Sequence, residues 1–262
     1  MGLILCREES VTRPLYIESL EVRLYSSYEL CYFIYHFPLL ALDHFLDDDL
    51  LRFLREDLDL GHLAAKLERG ADMGEAPEGL LVAVLQECEY FTQREVDQFQ
   101  KQLDVYRSLN EADYAKAKAD AYVKRGQQKK AAILYEQMLK LTGKPYDRPK
   151  WRGEVWAALG AARARMFAFE SAMEALDHAY KYLQSGDILK QMYVLTILEP
   201  TLTLDPGYME IIGVAQIARW DQEVGRMQDE VRGDDKWGQI GEMDETAVDA
   251  LLESWKQEYR SV

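Results

Sequence analysis

The sequence has few of the residues on which disulfide-stabilised proteins and many enzymes depend. Its 262 residues include only 3 cysteines and 4 histidines. Such an odd, sparse set of cysteines favours a reducing compartment, so we expect a cytoplasmic location. No run of about 18 apolar residues is present, and the first residues lack the basic and apolar segments of a secretion signal. We therefore expect no association with a membrane.

The motifs that hold phosphates, metals or nucleophiles are also missing. The sequence contains no Gly-x-x-x-x-Gly-Lys-Ser/Thr or Gly-x-Gly-x-x-Gly, no His-Glu-x-x-His and no Cys-x-x-Cys. The best candidates for a metal site are Asp43 and His44, but Asp47, Asp48 and Asp49 beside them are typical of an acidic helix start. We expect a protein that is not an enzyme, with no catalytic residue, cofactor or metal. An enzyme whose acidic site includes Asp43 and His44 is an alternative.

Charge is distributed unevenly along the chain. The total is −15, with −12 over residues 1–100, +7 over 101–152 and −10 over 153–262. A negative protein repels nucleic acids, so we expect no nucleic-acid partner. The basic segment between two acidic regions could bind an acidic partner or pair with acidic residues of the same chain.

Hydrophobic periodicity predicts a mainly helical chain that opens with short strands. Leu20, Val22 and Leu24 alternate with polar residues, as in a half-buried strand. Ser26 with Glu29, and Thr92 with Glu95, form capping-box patterns at the starts of later helices. No strand pattern follows residue 25, and residues 207–231 are predicted to form one long helix.

An internal repeat occupies the middle of the chain. Trp156-x-x-Leu159-Gly160 is followed by Ala172 and Ala179, and these spacings resemble the tetratricopeptide repeat (TPR), a helix–turn–helix unit of about 34 residues. Glycine and alanine at these positions would allow two helices to approach closely, whereas Trp156 and Leu159 would fill the seam between hairpins. These five residues are the predicted repeat-packing residues.

Two further segments resemble the repeat less closely. In residues 112–145, Ala119 occupies the glycine position, and the aromatic, small, aromatic and proline positions are held by Tyr122, Ala131, Tyr135 and Pro145. Residues 188–198 would supply the first helix of a third unit. The resemblance covers about 90 of the 262 residues.

The resemblance implies a fold and a division of the chain. We expect a predominantly α protein built from TPR-like stacked antiparallel helical hairpins over 110–200. A helical region over 1–109, opening with a short β-hairpin, would precede them. C-terminal helices over 201–262 would follow and end in an acidic amphipathic helix.

The resemblance also implies a groove lined by the first helix of each hairpin. The predicted partner-binding residues are Asp113, Lys116, Asp120, Val123, Glu154, Ala157, Ala161, Ala164, Gln191 and Leu195. Their alanines would form a shallow apolar floor for a helical or extended segment. Some TPR proteins bind a terminal carboxylate with Lys, Asn and Arg. Here only Lys116 fits that scheme, since Asp120 occupies an asparagine position.

The last predicted helix, over residues 246–259, leaves an apolar stripe uncovered. Val248, Leu251, Leu252, Trp255 and Tyr259 lie on one face at helical spacing. This helix could dock on the same chain, for example in the groove, on a second copy to form a homodimer, or on another protein.

The function expected from these features is that of a non-enzymatic scaffold or adaptor. Its groove would bind a helical or extended apolar segment of another protein or peptide. A peptide-sensing regulator with a TPR-like sensor region is the second interpretation, although the acidic N-terminal region does not suit a DNA-binding domain.

Overall fold

The computed structural model describes residues 11–18, 20–42, 46–233, 246–248 and 250–251. The protein is predominantly α-helical and has a short antiparallel sheet, as predicted. The chain divides into two compact units, residues 1–183 and 184–262. The three-part division inferred from the sequence is a different partition and stays a prediction.

The sheet has two strands, β1 (Leu15–Ile17) and β2 (Val22–Leu24), with Leu15 opposite Leu24. Leu15, Leu20 and Leu24 are buried, which confirms the alternation seen in the sequence. Such a small hairpin is marginal alone, so its stability depends on the helices beneath these leucines.

The other secondary-structure elements described in the first unit are helical. They are α1 (Ser27–His36), α2 (Pro38–Ala41), α3 (Asp48–Arg52), α4 (Gly61–Asp72), α5 (Pro77–Glu87), α6 (Gln93–Ser108), α7 (Glu111–Lys124), α8 (Gln128–Lys140), α9 (Pro149–Arg165) and α10 (Phe169–Leu183). A π-helical turn, Phe53–Asp57, follows α3 directly. One continuous apolar core extends from Leu15 in the sheet to Ala175 in α10. The N-terminal helices and the predicted repeat region therefore share a core.

The sequence signals for helix starts are largely confirmed. Thr92 and Glu95 form the reciprocal capping box, and the side chain of Asp47 accepts a hydrogen bond from the Leu50 amide at 2.8 Å. At α1, Ser26 Oγ accepts from the Glu29 amide, but the Glu29 carboxylate accepts from the Tyr25 amide. The Glu29 side chain, in the first turn of α1, therefore holds the residue that directly follows strand β2.

Consecutive helices pack together along the predicted repeat. Helix α8 packs against both α7 and α9, and α9 packs most extensively against α10. At the other end, α2 packs on α7, and Gln127 Nε2 donates to the Leu20 carbonyl oxygen at 2.6 Å. These contacts join the N-terminal region to the turn between α7 and α8.

The second unit contains α11 (Gly186–Leu198), α12 (Pro206–Ile212) and α13 (Val214–Arg232). The single helix predicted over 207–231 is wrong, because Gly213 has a φ of 74° and breaks it into α12 and α13. This left-handed backbone conformation favours glycine and cannot continue a right-handed helix.

Within this unit, α11 is linked to α13 by polar contacts. Lys190 pairs with Glu223, and the Tyr193 hydroxyl donates to Asp221 at 2.6 Å. The hydrogen bond to the Asp221 carboxylate, with partial burial, raises the pKa of Tyr193 to about 12.

Within the described residues, no helix combines the length and apolarity needed to cross a membrane. Residues 246–248 and 250–251 are helical. The remainder of the predicted 246–259 helix, including Trp255 and Tyr259, lies outside the described residues, as does the homodimer contact inferred from it.

Candidate functional site

The predicted groove residues of the first unit lie on α7 and α9. All eight are half-buried: Asp113, Lys116, Asp120, Val123, Glu154, Ala157, Ala161 and Ala164. Partial burial is the expected state of side chains along a concave or shielded surface. Their role as a binding groove stays a prediction.

A bidentate ion pair connects α7 to the residue that precedes α9. Arg148 donates from its two terminal nitrogens to the two oxygens of Asp113, at 3.1 and 2.6 Å. Asn110, the N-cap of α7, also donates to this carboxylate. The hydrogen bond from Arg148 holds the pKa of Asp113 below its ordinary value. Asp113 is therefore an anchored, charge-paired group.

We expect Asp113→Asn to lower the free energy of unfolding by up to about 1 kcal/mol at pH 7, because the pair is partly exposed. The folded-state pKa of Asp113 is depressed, so this contribution is present above the ordinary carboxyl pKa. It is lost as the pH falls below about 4 and through the folded-state pKa. Urea titrations between pH 3 and 7 would measure it.

Asp104→Asn is the matched control, because Asp104 is exposed on α6 and its loss removes the same charge. The ion-pair explanation would be contradicted if the difference in free energy of unfolding between Asp113→Asn and the parent stayed constant as the pH fell below 4.

A second polar contact connects α7 to α8. Asp120 accepts from Lys116 Nζ at 2.9 Å and from the Tyr135 hydroxyl at 2.5 Å. Burial of Tyr135, then its hydrogen bond to Asp120, raises the pKa of the Tyr135 hydroxyl well above the ordinary range. Lys116 is thus held by a neighbouring carboxylate on its own helix, and Tyr135 is a neutral donor at ordinary pH.

The alanines of α9 form the apolar part of this face. Ala157, Ala161 and Ala164 follow one another at helical spacing and remain half-buried. Near them, Arg163 bonds to Glu136 of α8 and to the Ser171 carbonyl oxygen of α10, each at 2.9 Å. Helix α9 is therefore fixed on both sides while its alanines remain partly accessible.

The predicted repeat-packing residues lie where α9 meets α10. Leu159, Gly160, Ala172 and Ala179 are buried, and Trp156 stacks on His178 with ring centroids 4.5 Å apart. A Cβ atom on Gly160 would approach Leu176 to 2.8 Å, so this glycine allows the close helix contact expected of it. Gly153, two turns earlier, makes a similar approach to Leu183 and Tyr182.

The last two predicted groove residues belong to the second unit. On α11, Gln191 is exposed whereas Leu195 is buried. The candidate site is therefore described from the first unit alone.

An aromatic cluster in the N-terminal region was only partly evident from the sequence. Tyr35 stacks on Phe91 with ring centroids 4.1 Å apart, and Tyr28 lies 5.1 Å from Tyr90. Residues 16–35 contain five tyrosines, a residue type common both at interfaces and at the rim of a core. Their aromatic partners from the segment after α5 could not be inferred, because no local spacing connects the two segments.

Metal-binding and nucleophilic side chains are sparse in the fold. Among the residues that the structure describes, no group of three or more His, Cys, Asp or Glu side chains could hold a metal ion. Asp43 and His44, the basis of the alternative enzyme interpretation, lie outside the described residues. Cys31 is buried and Cys88 is half-buried on the N-terminal helices.

Comparison with known proteins gives no relative for this chain. No family model matches it, and neither the curated proteins nor the solved structures contain a significant match.

Proposed function

We propose that this chain is a non-enzymatic scaffold or adaptor that binds an apolar segment, helical or extended, of another protein across α7 and α9. The observation that supports this most is the row of half-buried alanines on α9. Small side chains leave room for the side chains of a partner, and their partial burial limits the surface exposed when the partner is absent. The hairpins behind this face are proposed to stack as in TPR proteins.

The polar residues beside the alanines support the same proposal. Asp113 and Asp120 are held by Arg148 and Lys116, so neither carboxylate needs to move when a partner binds. Side chains that are already ordered lose less entropy on association. The face therefore offers an apolar strip between fixed polar groups, which suits an amphipathic helix.

Site-specific photo-crosslinking tests the proposal. Benzoylphenylalanine would replace Ala161 in the full chain, and Ala168, which is exposed in the turn after α9, would carry the same group as the control. We expect a discrete protein adduct from position 161 in an extract of the source organism and none from position 168.

Mass spectrometry of the adduct decides the outcome. A peptide of another protein, crosslinked at 161 alone, supports the proposal. An adduct within the same chain, for example to residues 246–259, would show that the chain covers its own face and would contradict it. Equal labelling from both positions would also contradict it.

A further inference from the structure

A pocket of about 480 Å³ lies in the N-terminal part of the first unit, away from the alanine row. We call it the aromatic pocket. Its lining residues come from the N-terminal hairpin, α1 and the residue after it, the segment after α5 and the residue after α7. They include Arg23, Tyr28, Phe33, Phe37, Tyr90 and Arg125. This volume is in the range of pockets that hold small molecules or a large side chain.

The walls of the aromatic pocket favour a flat apolar group. Tyr28 and Tyr90 lie 5.1 Å apart between ring centroids, and Phe33 and Phe37 lie 6.4 Å apart. Tyr32, whose ring lies 4.2 Å from that of His36, is 52% exposed. Aromatic rings in the wall of a pocket can stack on the ring of a ligand at centroid separations similar to these.

The charge of the aromatic pocket favours an anion. The Arg125 guanidinium lies 5.7 Å from the ring of Phe37, another lining residue. Arg23 also lines the pocket, and its guanidinium lies over the Tyr16 ring outside it. Neither arginine forms an ion pair with a carboxylate among the described parts of the chain. Among the described lining residues the single acid is Glu29, which accepts a hydrogen bond from the Tyr25 amide at the start of α1. The described lining residues therefore carry one more positive charge than negative charge.

The surrounding charge limits the size of that anion. Residues 1–100 carry a net charge of −12, so a polyanion such as a nucleic acid would be repelled over most of this region. A single carboxylate needs only a local guanidinium group. The planar guanidinium also matches the two oxygens of a carboxylate better than an ammonium group does.

From these contacts we infer that the aromatic pocket binds an aromatic group bearing a carboxylate, with the ring among Tyr28, Phe37 and Tyr90 and the carboxylate at Arg125. This ligand chemistry occurs in free aryl acids and in peptides that carry an aromatic residue beside one acidic residue. The inference is independent of the proposed function, because it involves neither α9 nor the alanines.

Two probes with the same ring and opposite charge test the inference. Saturation-transfer NMR titrations of the full chain would use indole-3-acetate and tryptamine. We expect indole-3-acetate to bind at least about tenfold more tightly, because the Arg125 guanidinium attracts one probe and repels the other. Equal affinity for the two probes, or binding of neither, would overturn the inference.

Variants locate the site. Arg125→Gln should weaken indole-3-acetate binding by about tenfold or more, whereas Arg125→Lys, which keeps the charge, should weaken it less. Arg107→Gln is the matched control, because Arg107 is exposed on α6 and its loss removes the same charge. Circular dichroism melts would check that the Arg125 variants fold. If Arg125→Gln and Arg107→Gln lost equal affinity for indole-3-acetate, the binding would not be local to the pocket.

A third probe distinguishes the two sources of the ligand. The peptide acetyl-Gly-Glu-Trp-Gly-amide presents the same ring beside a single carboxylate. Peptide binding that is about tenfold tighter than that of indole-3-acetate, and that Arg125→Gln abolishes, would assign the pocket to a peptide. Tighter binding of the free acid would assign it to a small molecule.

Discussion

Gly160→Val is expected to lower the free energy of unfolding of the first unit by about 3 kcal/mol. A Cβ atom at this position would lie 2.8 Å from both Cγ and Cδ2 of Leu176, and 3.3 Å from the Ala172 carbonyl oxygen. Leu176 is 1% exposed, so its side chain is enclosed by neighbouring atoms and cannot swing out into solvent. The two helices would have to separate along their most extensive contact. Equilibrium unfolding in urea, followed by circular dichroism, measures the change.

Gly61→Val is the matched control. Gly61 begins α4 in the same unit, is exposed, and has no atom within 4 Å of a Cβ built on it. The same substitution should therefore change stability there by less than about 0.5 kcal/mol. A Gly160→Val protein as stable as the Gly61→Val protein would contradict the close approach of α9 and α10.

Tyr135→Phe should lower the free energy of unfolding by about 2 kcal/mol, because hydrogen bonds to charged groups contribute about 1.5–3 kcal/mol. This is the second-largest effect that we expect. The substitution removes a hydroxyl that donates to the Asp120 carboxylate at 2.5 Å and leaves the buried ring in place. The raised pKa of Tyr135 means that this contribution persists below the ordinary tyrosine pKa and is lost as the pH rises above about 10. Urea unfolding at pH 7 and at about pH 10.5 would measure both effects.

Tyr182→Phe provides the control, since Tyr182 is 42% exposed on α10. Its loss of a hydroxyl should change stability by less than about 0.5 kcal/mol. If Tyr135→Phe had no larger effect than Tyr182→Phe, the contact between α7 and α8 would not depend on the Tyr135 hydroxyl.

Local features of the fold could be predicted from the sequence because their causes are local. The capping box at Thr92 and Glu95, the aspartate cap at Asp47 and the alternation of the N-terminal hairpin each involve residues within a few positions of one another. Gly160 could be predicted to allow close packing from its place in the repeat pattern. A glycine weakens a helix interior, so its presence there indicates that a neighbouring element needs the space. The break at Gly213 was missed, since a sequence pattern shows a weakened helix but not the sign of φ.

Long-range polar contacts could not be predicted. The pairing of Arg148 with Asp113 joins residues 35 positions apart, and nothing in either neighbourhood identifies the partner. The sequence left open whether the basic segment pairs with an outside acid or with the same chain. Several of its cations pair within the chain, including Lys130 with Glu21.

The aromatic pocket was the least predictable feature. Its rings and guanidinium groups come from positions as far apart as Arg23 and Arg125. The tyrosine run supplied a signal for half of the pocket. The other half depends on the packing of α2 on α7, which places the end of α7 near the hairpin.

The most direct test of the proposed interaction face is a titration of the partner that crosslinks at position 161. Its dissociation constant would be measured by calorimetry for the full-length parent, for Ala161→Arg and for Ala168→Arg. The second variant adds the same charge and bulk at an exposed turn. Binding across the alanine row predicts at least a tenfold weaker constant for Ala161→Arg and an unchanged one for Ala168→Arg. Equal constants for all three proteins would contradict the assignment of this face as the binding site.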